Sequence, residues 1–231
     1  MPVLSEQLLL SVAEQLKLPL LQIARQAELA NLTADQSLLS IQTSADIALR
    51  LIDNYLLGIR LGLEAAYRLE MEPVSVSAVL YDAGQELERH AKQYGVALEL
   101  NVAGKFGPVM AHRQGLQAAL VSLGAALIEA LPAGDNPRLK LQLATHRCRY
   151  GIVAGLYSDT ETLTAEALRS GRELHGHSRQ PLTDFSHAAG AGVFVADSIL
   201  RAMQLELKTS RHHRLYGLAA VLKPNYQMQL V

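Results

Sequence analysis

Apolar residues recur at steps of three and four near the start of the chain, at Leu9, Val12, Leu16, Leu20, Ile23 and Ala27. That spacing places them on one face of an amphipathic helix. Asn31-Leu32-Thr33 interrupts the pattern. Thr33 then reads as the N-cap of a second helix, with Asp35 in its first turn and Gln36 completing a capping box. The second stripe is Leu38, Ile41, Ala45, Leu49, Ile52, Leu56, Ile59 and Leu63. Its period is close to about 3.5 residues, as in a helix packed along a seam. It extends to near Glu70, on the order of 55 Å of helix. Pro19 lies inside the first helix, where a missing N–H and a ring clash kink the chain. Two helices joined by a short loop form an antiparallel hairpin. Leu8, Leu10, Leu18, Leu21, Leu51 and Leu57 lie off the main stripes, and a lone hairpin cannot bury them. Two hairpins paired into a four-helix bundle would, which predicts a homodimer. The alternative is that the hairpin packs on the C-terminal part of its own chain.

After Met71-Glu72-Pro73 the pattern changes. A helix is predicted over about 75–95, beginning near Ser75 or Ser77. Val96–Val102 alternates as a strand, and Gly107–Met110 reads as a second, short one. Residues 112–131 are Ala-rich and apolar on most sides, the mark of a buried helix. Pro132–Pro137 is a turn cluster. Strands follow over about 138–146 and 150–157, with His146-Arg147-Cys148-Arg149 as the hairpin turn. A helix is expected over 164–171, a polar irregular loop over 172–189, and a helix opening at Gly190-Ala191-Gly192 and running to about Met203. Strands near 204–210 and 215–223 complete the order. The pattern divides the chain into a helical hairpin, 1–71, and an α+β sandwich with helices on one face of a sheet, 72–231.

Composition narrows the function classes. Of 231 residues, 49% are hydrophobic and 19% charged, enough for a substantial core. Lys plus Arg number 21 against 22 Asp plus Glu, a net charge of −1. That balance argues against nucleic acid or an anionic membrane as the main partner. Cys148 is the sole cysteine, so no internal disulfide forms, and a reducing cytoplasm is the expected location. The N-terminus lacks the basic region and cleavage site of a signal peptide, and the uncharged run Gly115–Ile128 is too short to span a bilayer.

With the two parts side by side, the chain resembles the catalytic core of a sensor histidine kinase. Such a core is a dimerisation and phosphotransfer hairpin followed by an ATP-binding domain of the gyrase, Hsp90 and kinase type. The layout is also similar to stand-alone histidine phosphotransferases with decayed ATP domains. The resemblance implies a first box His-Glu/Asp-x-x-x-Pro. Here it is Glu14-Gln15-Leu16-Lys17-Leu18-Pro19, so the phosphoacceptor histidine is Glu14. A carboxylate does not replace an imidazole as nucleophile and phosphoryl donor, and no histidine precedes His90. The box that should place asparagines against Mg²⁺ and phosphate puts Ser122 and Ala126 at those positions; Mg²⁺ takes oxygen ligands, and alanine has none. In the Asp-x-Gly-x-Gly box, Ser158 or Asp159, depending on register, takes the adenine-binding aspartate's place, and threonines replace the glycines. The last box, Gly-x-Gly-x-Gly, survives as Gly190 and Gly192, with Phe194 at the third glycine.

The expected function is therefore that of a degenerate kinase, a pseudokinase without cofactor or metal, acting as a dimeric interaction module. The resemblance implies that the hairpin face around Glu14, Lys17, Leu18 and Leu21 docks a response-regulator receiver domain. The alternative is a divergent phosphotransferase that still binds ATP through an unrecognised histidine. His175, His177, His212 and His213 read as loop histidines rather than zinc ligands. The basic residues Lys208, Arg211 and Arg214 read as a solvated hairpin.

Overall fold

The computed structural model describes residues 22–23, 53–54, 57–58, 70–102, 104–130, 140–159 and 189–224. The kink at Pro19, the turn at 132–137, the helix at 164–171 and the loop at 172–189 lie outside the described residues.

From Glu72 onward the local chemistry sets the elements. A short strand, β1 (Glu72–Val74), is followed by Ser75, whose Oγ accepts from the Ala78 N–H at 3.4 Å and caps helix α1 (Val76–Gln93). Buried residues Val76, Val79, Leu80, Ala83, Leu87, His90 and Ala91 repeat at helical spacing along it. The helix ends where Gly95 takes a φ of +66°, a left-handed turn that glycine adopts without strain. The Val96 N–H then closes on the Ala91 carbonyl at 2.9 Å. Strands β2 (Ala97–Val102) and β3 (Val109–Ala111) follow. His112 caps helix α2 (Arg113–Ala130), its Nδ1 accepting from the Gly115 N–H at 3.1 Å. Small and apolar residues bury α2 on nearly every side, because it lies between α1 and the last helix, α3 (Ala189–Ala202). Strands β4 (Lys140–Cys148) and β5 (Gly151–Ser158) precede α3, and β6 (Leu207–His212) and β7 (Leu215–Leu222) follow it.

The main sheet has the order β2-β4-β5-β7-β6. β2 runs parallel to β4, in register from Ala97 opposite Lys140 to Val102 opposite Thr145, and the other pairs are antiparallel. The parallel pair requires a crossover, which α2 supplies. β1 and β3 form a separate antiparallel ribbon, bridged to the end of β7 through Val109 and Pro224. The described fold is α+β, a mixed sheet with three helices, and the main core lies between the two layers. Among the described residues no helix is long and apolar enough to cross a membrane.

The sheet's second face is not a solvated one. All eight residues of β5 are buried, and Ala144, Val153, Tyr157 and Ala219 form a second small core on the side away from the helices. Glycines let the strands come that close. A Cβ on Gly155 would stand 2.4 Å from that of Ala219, its register partner, and one on Gly217 would stand 2.0 Å from the Leu156 carbonyl oxygen. The Tyr157 ring lies across Gly217 and its hydroxyl reaches the Ser210 Oγ at 3.3 Å. The sheet is thereby bent into a trough. Asn101 on one edge strand meets His212 on the other, with the amide nitrogen 3.4 Å from Nε2.

Several sequence expectations are corrected. The β4–β5 turn is at Arg149-Tyr150, and His146, Arg147 and Cys148 belong to β4. The pairing continues two residues further because Cys148 and Gly151, at φ +151°, still face each other across the ladder. Glu72–Val74, to which the sequence pattern assigned no element, is a strand in a two-stranded ribbon, where proline is tolerated. His212 is not a loop histidine: it ends β6 and is only 6% exposed.

Candidate functional site: the helical layer

The positions singled out in the sequence fall on α2, α3 and the end of β5. Ser122 is 1% exposed, in the middle of α2, and Ala126 lies one turn further along, equally buried. α3 begins at Ala189, so Gly190 and Gly192 lie within its first turn. Phe194 follows, fully buried in the main core. Ser158 closes β5 and is buried, alternating with Ile152, Ala154 and Leu156 toward the helices. Asp159 is exposed, and its Oδ1 accepts from the Ser158 Oγ at 3.2 Å. In this register Ser158 is the residue turned toward the helical layer. α2 and α3 pack side by side and α2 also touches β5. Glu14, Lys17, Leu18 and Leu21 lie outside the described residues.

The described parts of the first 71 residues meet this layer directly. The Asn54 amide donates to the Ser122 Oγ at 3.2 Å. Leu57 packs against the main core. Gly58 comes so near α3 that a Cβ there would be 3.3 Å from the Ile199 Cγ1. The Gln22 amide donates to the Tyr94 hydroxyl at 3.4 Å. For these residues the contact is with the C-terminal part of the same chain. A hydroxyl on a buried helix needs a partner, and Asn54 supplies one to Ser122.

Beside this seam lies a second polar group that the sequence did not reveal. The His90 Nε2 is 3.2 Å from the Glu129 Oε1, with both side chains nearly buried, and joins α1 to α2. The geometry falls short of a hydrogen bond, so the contact is a close polar approach. The Tyr94 ring is centred 4.9 Å from that of His90. Burial pushes the Tyr94 hydroxyl above its ordinary value, opposed by the Gln22 hydrogen bond and aided by the Glu129 charge. Glu129, the carboxylate nearest in sequence to the Mg²⁺ positions, is thus engaged with His90. Among the described residues no group of three or more His, Cys, Asp or Glu is placed to hold a metal. The signals for this cluster were a His and a Tyr four apart on one helix, and a polar Asp53-Asn54 step within an apolar stripe.

Substituting Asn54 by Ala should leave the Ser122 hydroxyl without its partner. The expected cost is about 1 kcal/mol, read as a fall in Tm of roughly 2–4 °C for a chain of this size. Combining it with Ser122→Ala should cost less than the sum of the two single changes.

Five strands in mixed pairing with helices on one side form the fold found in solved histidine kinase structures. The Acinetobacter baumannii histidine kinase AdeS matches 91% of this chain and 97% of its own, with a TM-score of 0.54 at 16% identity. The full-length ShkA structure, in complex with AMPPNP, matches 95% of this chain with a TM-score of 0.54 at 15% identity. This chain spans 46% of that one. At these identities the likeness is one of fold. No protein-family model matches the sequence, and no curated protein matches it.

Proposed function

We propose that this chain is a non-catalytic, histidine kinase-like interaction module, a pseudokinase in signal transduction. In this reading it dimerises through its N-terminal hairpin and docks a response-regulator receiver through the face around Glu14, Lys17, Leu18 and Leu21. The observation that carries the reading is the state of the would-be Mg²⁺ and phosphate positions. Ser122 is buried and held by Asn54, and Ala126 is buried with no ligand atom. Phe194, where the third glycine of the phosphate box would be, is committed to the core. A nucleotide would have to displace packed side chains, and it would find no oxygen ligand at Ala126 for its metal.

Calorimetry with ATP and Mg²⁺ tests the loss of chemistry. The expected result is no saturable heat up to millimolar nucleotide. Micromolar saturable binding would favour a divergent phosphotransferase instead. Docking is tested by measuring binding of purified receiver domains to the intact chain and to Leu18→Glu. Binding by the parent and its loss in the variant are expected. Absence of binding to any receiver would remove the partner from the proposal and leave the fold unaffected.

A further inference from the structure

We propose that the outer face of the sheet carries an acid-sensitive clasp. His146 and His212, stacked as neutral rings, hold the two sides of the trough together, and their protonation opens it. The two rings come from β4 and β6, which are not neighbours in the sheet, yet their centroids are 4.9 Å apart at 19° between planes. The Tyr157 ring is 5.4 Å from His212 and 6.4 Å from His146, so three strands converge on one point. A fourth, β2, joins through Asn101.

The chemistry of each contact favours the uncharged rings. With Nε2 of His212 unprotonated, its lone pair accepts from the Asn101 amide. A proton on Nε2 would set donor against donor until the amide turned over. The His146 Nδ1 is buried and has no hydrogen-bond partner among the described residues, so a proton added at that nitrogen would find no acceptor there. Two imidazolium ions in a parallel stack would also repel.

The groups around the pair provide little to offset that charge. On β2, Glu99 is already bound to Lys140 and Gln142. β4 adds Cys148, β5 adds Tyr157, and β6 adds Ser210 and Lys208, whose ammonium is paired with Glu206. β7 presents only Leu215, Gly217, Ala219 and Val221 on this face, and the turn after β6 holds His213 and Arg214. Asp159, just past β5, is bound to Ser158. Burial is the main influence on both rings and lowers both. The charges that add to it are other imidazoles: His213 acting on His146, and His146 and His213 acting on His212.

Both rings are thus held below the ordinary value of 6.5. The unfolded chain therefore takes up protons at a pH where the folded one does not. The clasp is fully stabilising above that value and is lost as pH falls through it toward the folded values. Each unit of depression is a tenfold drop in the folding constant, read as roughly 3–5 °C in Tm for a chain of this size.

The test is a histidine NMR titration of the intact chain from pH 8 to 5, with amide hydrogen exchange across the sheet. Two ring signals should titrate below 6.5, and the Tyr157 ring signals should move with them. After correction for intrinsic rates, exchange in β2 and β6 should rise about tenfold on acidification, with α1 unchanged. His146→Phe keeps a ring in the stack without a titrating nitrogen and should flatten the fall of Tm between pH 7 and 5. His212→Gln keeps an acceptor for Asn101 and should do the same. Titration of both rings at or above 6.5, or pH-independent exchange at β2 and β6, overturns the proposal. If neither variant folds, the parent's titration and exchange decide the matter alone.

Discussion

Phe194→Gly should destabilise the domain severely and restore no nucleotide binding. The change would supply the third glycine of a Gly-x-Gly-x-Gly run. On sequence grounds alone it looks like a repair. The structure places the ring fully buried in α3, within the core that joins the helices to the sheet. Removing a buried phenyl ring costs about 3–5 kcal/mol, and glycine within a helix adds roughly 0.5–1 kcal/mol. Against a typical total of about 5–15 kcal/mol, a loss of about 3.5–6 kcal/mol removes at least about a quarter of it. Urea unfolding should show the midpoint falling steeply with an unchanged slope. A variant that kept its midpoint and bound ATP with Mg²⁺ would show that the ring merely plugs a working pocket.

The second large effect is expected at Gly217. A Cβ there would be 2.0 Å from the Leu156 carbonyl oxygen, 2.8 Å from its carbon and 2.6 Å from the Tyr157 Cδ1. Two of these atoms are backbone in a central strand and cannot yield without parting β5 from β7. Gly217→Ala should cost about 3 kcal/mol or more, the upper end for overpacking. Gly217→Val should give no folded protein at all. Circular dichroism and the soluble yield would show this. Gly124→Ala is the informative comparison. Its Cβ would meet the end of the Leu87 side chain at 2.3 Å, an atom that moves by rotamer change, and alanine is the better helix former. Its cost should therefore be much smaller.

How much of this was legible in the sequence follows from what periodicity encodes. α1 and α2 were readable because Ser75 marks a start and their apolar positions repeat at helical spacing. β4 and β5 were readable as strands because a turn cluster precedes them and a short polar turn joins two runs of strand length. The turn between them was misplaced because His146-Arg147-Cys148-Arg149 is polar, and polarity alone does not end a ladder whose partners still face each other. The parallel pairing of β2 with β4 left no local mark, since it joins residues more than forty positions apart. The trough was hidden for a related reason. Gly155 and Gly217 look like weak points in single strands, and only their register partners show that they are close approaches. At the site, the altered boxes told which atoms were missing. They did not tell that Asn54 bonds Ser122 or that Glu129 faces His90, because those contacts cross elements whose relative placement no spacing records.

β2 has one neighbour in the sheet, and that neighbour begins at Lys140. As the chain leaves the ribosome, α1, β2 and α2 emerge before any strand exists on which β2 can lie. β5 pairs at once with β4, but its other side waits for β7, which is made after α3. Pairings of such long sequence separation are slow to form, and the apolar sides of α1 and α2 stay uncovered in the meantime. A nascent chain stalled before Lys140 should therefore be a substrate for chaperones and proteases rather than a folded intermediate.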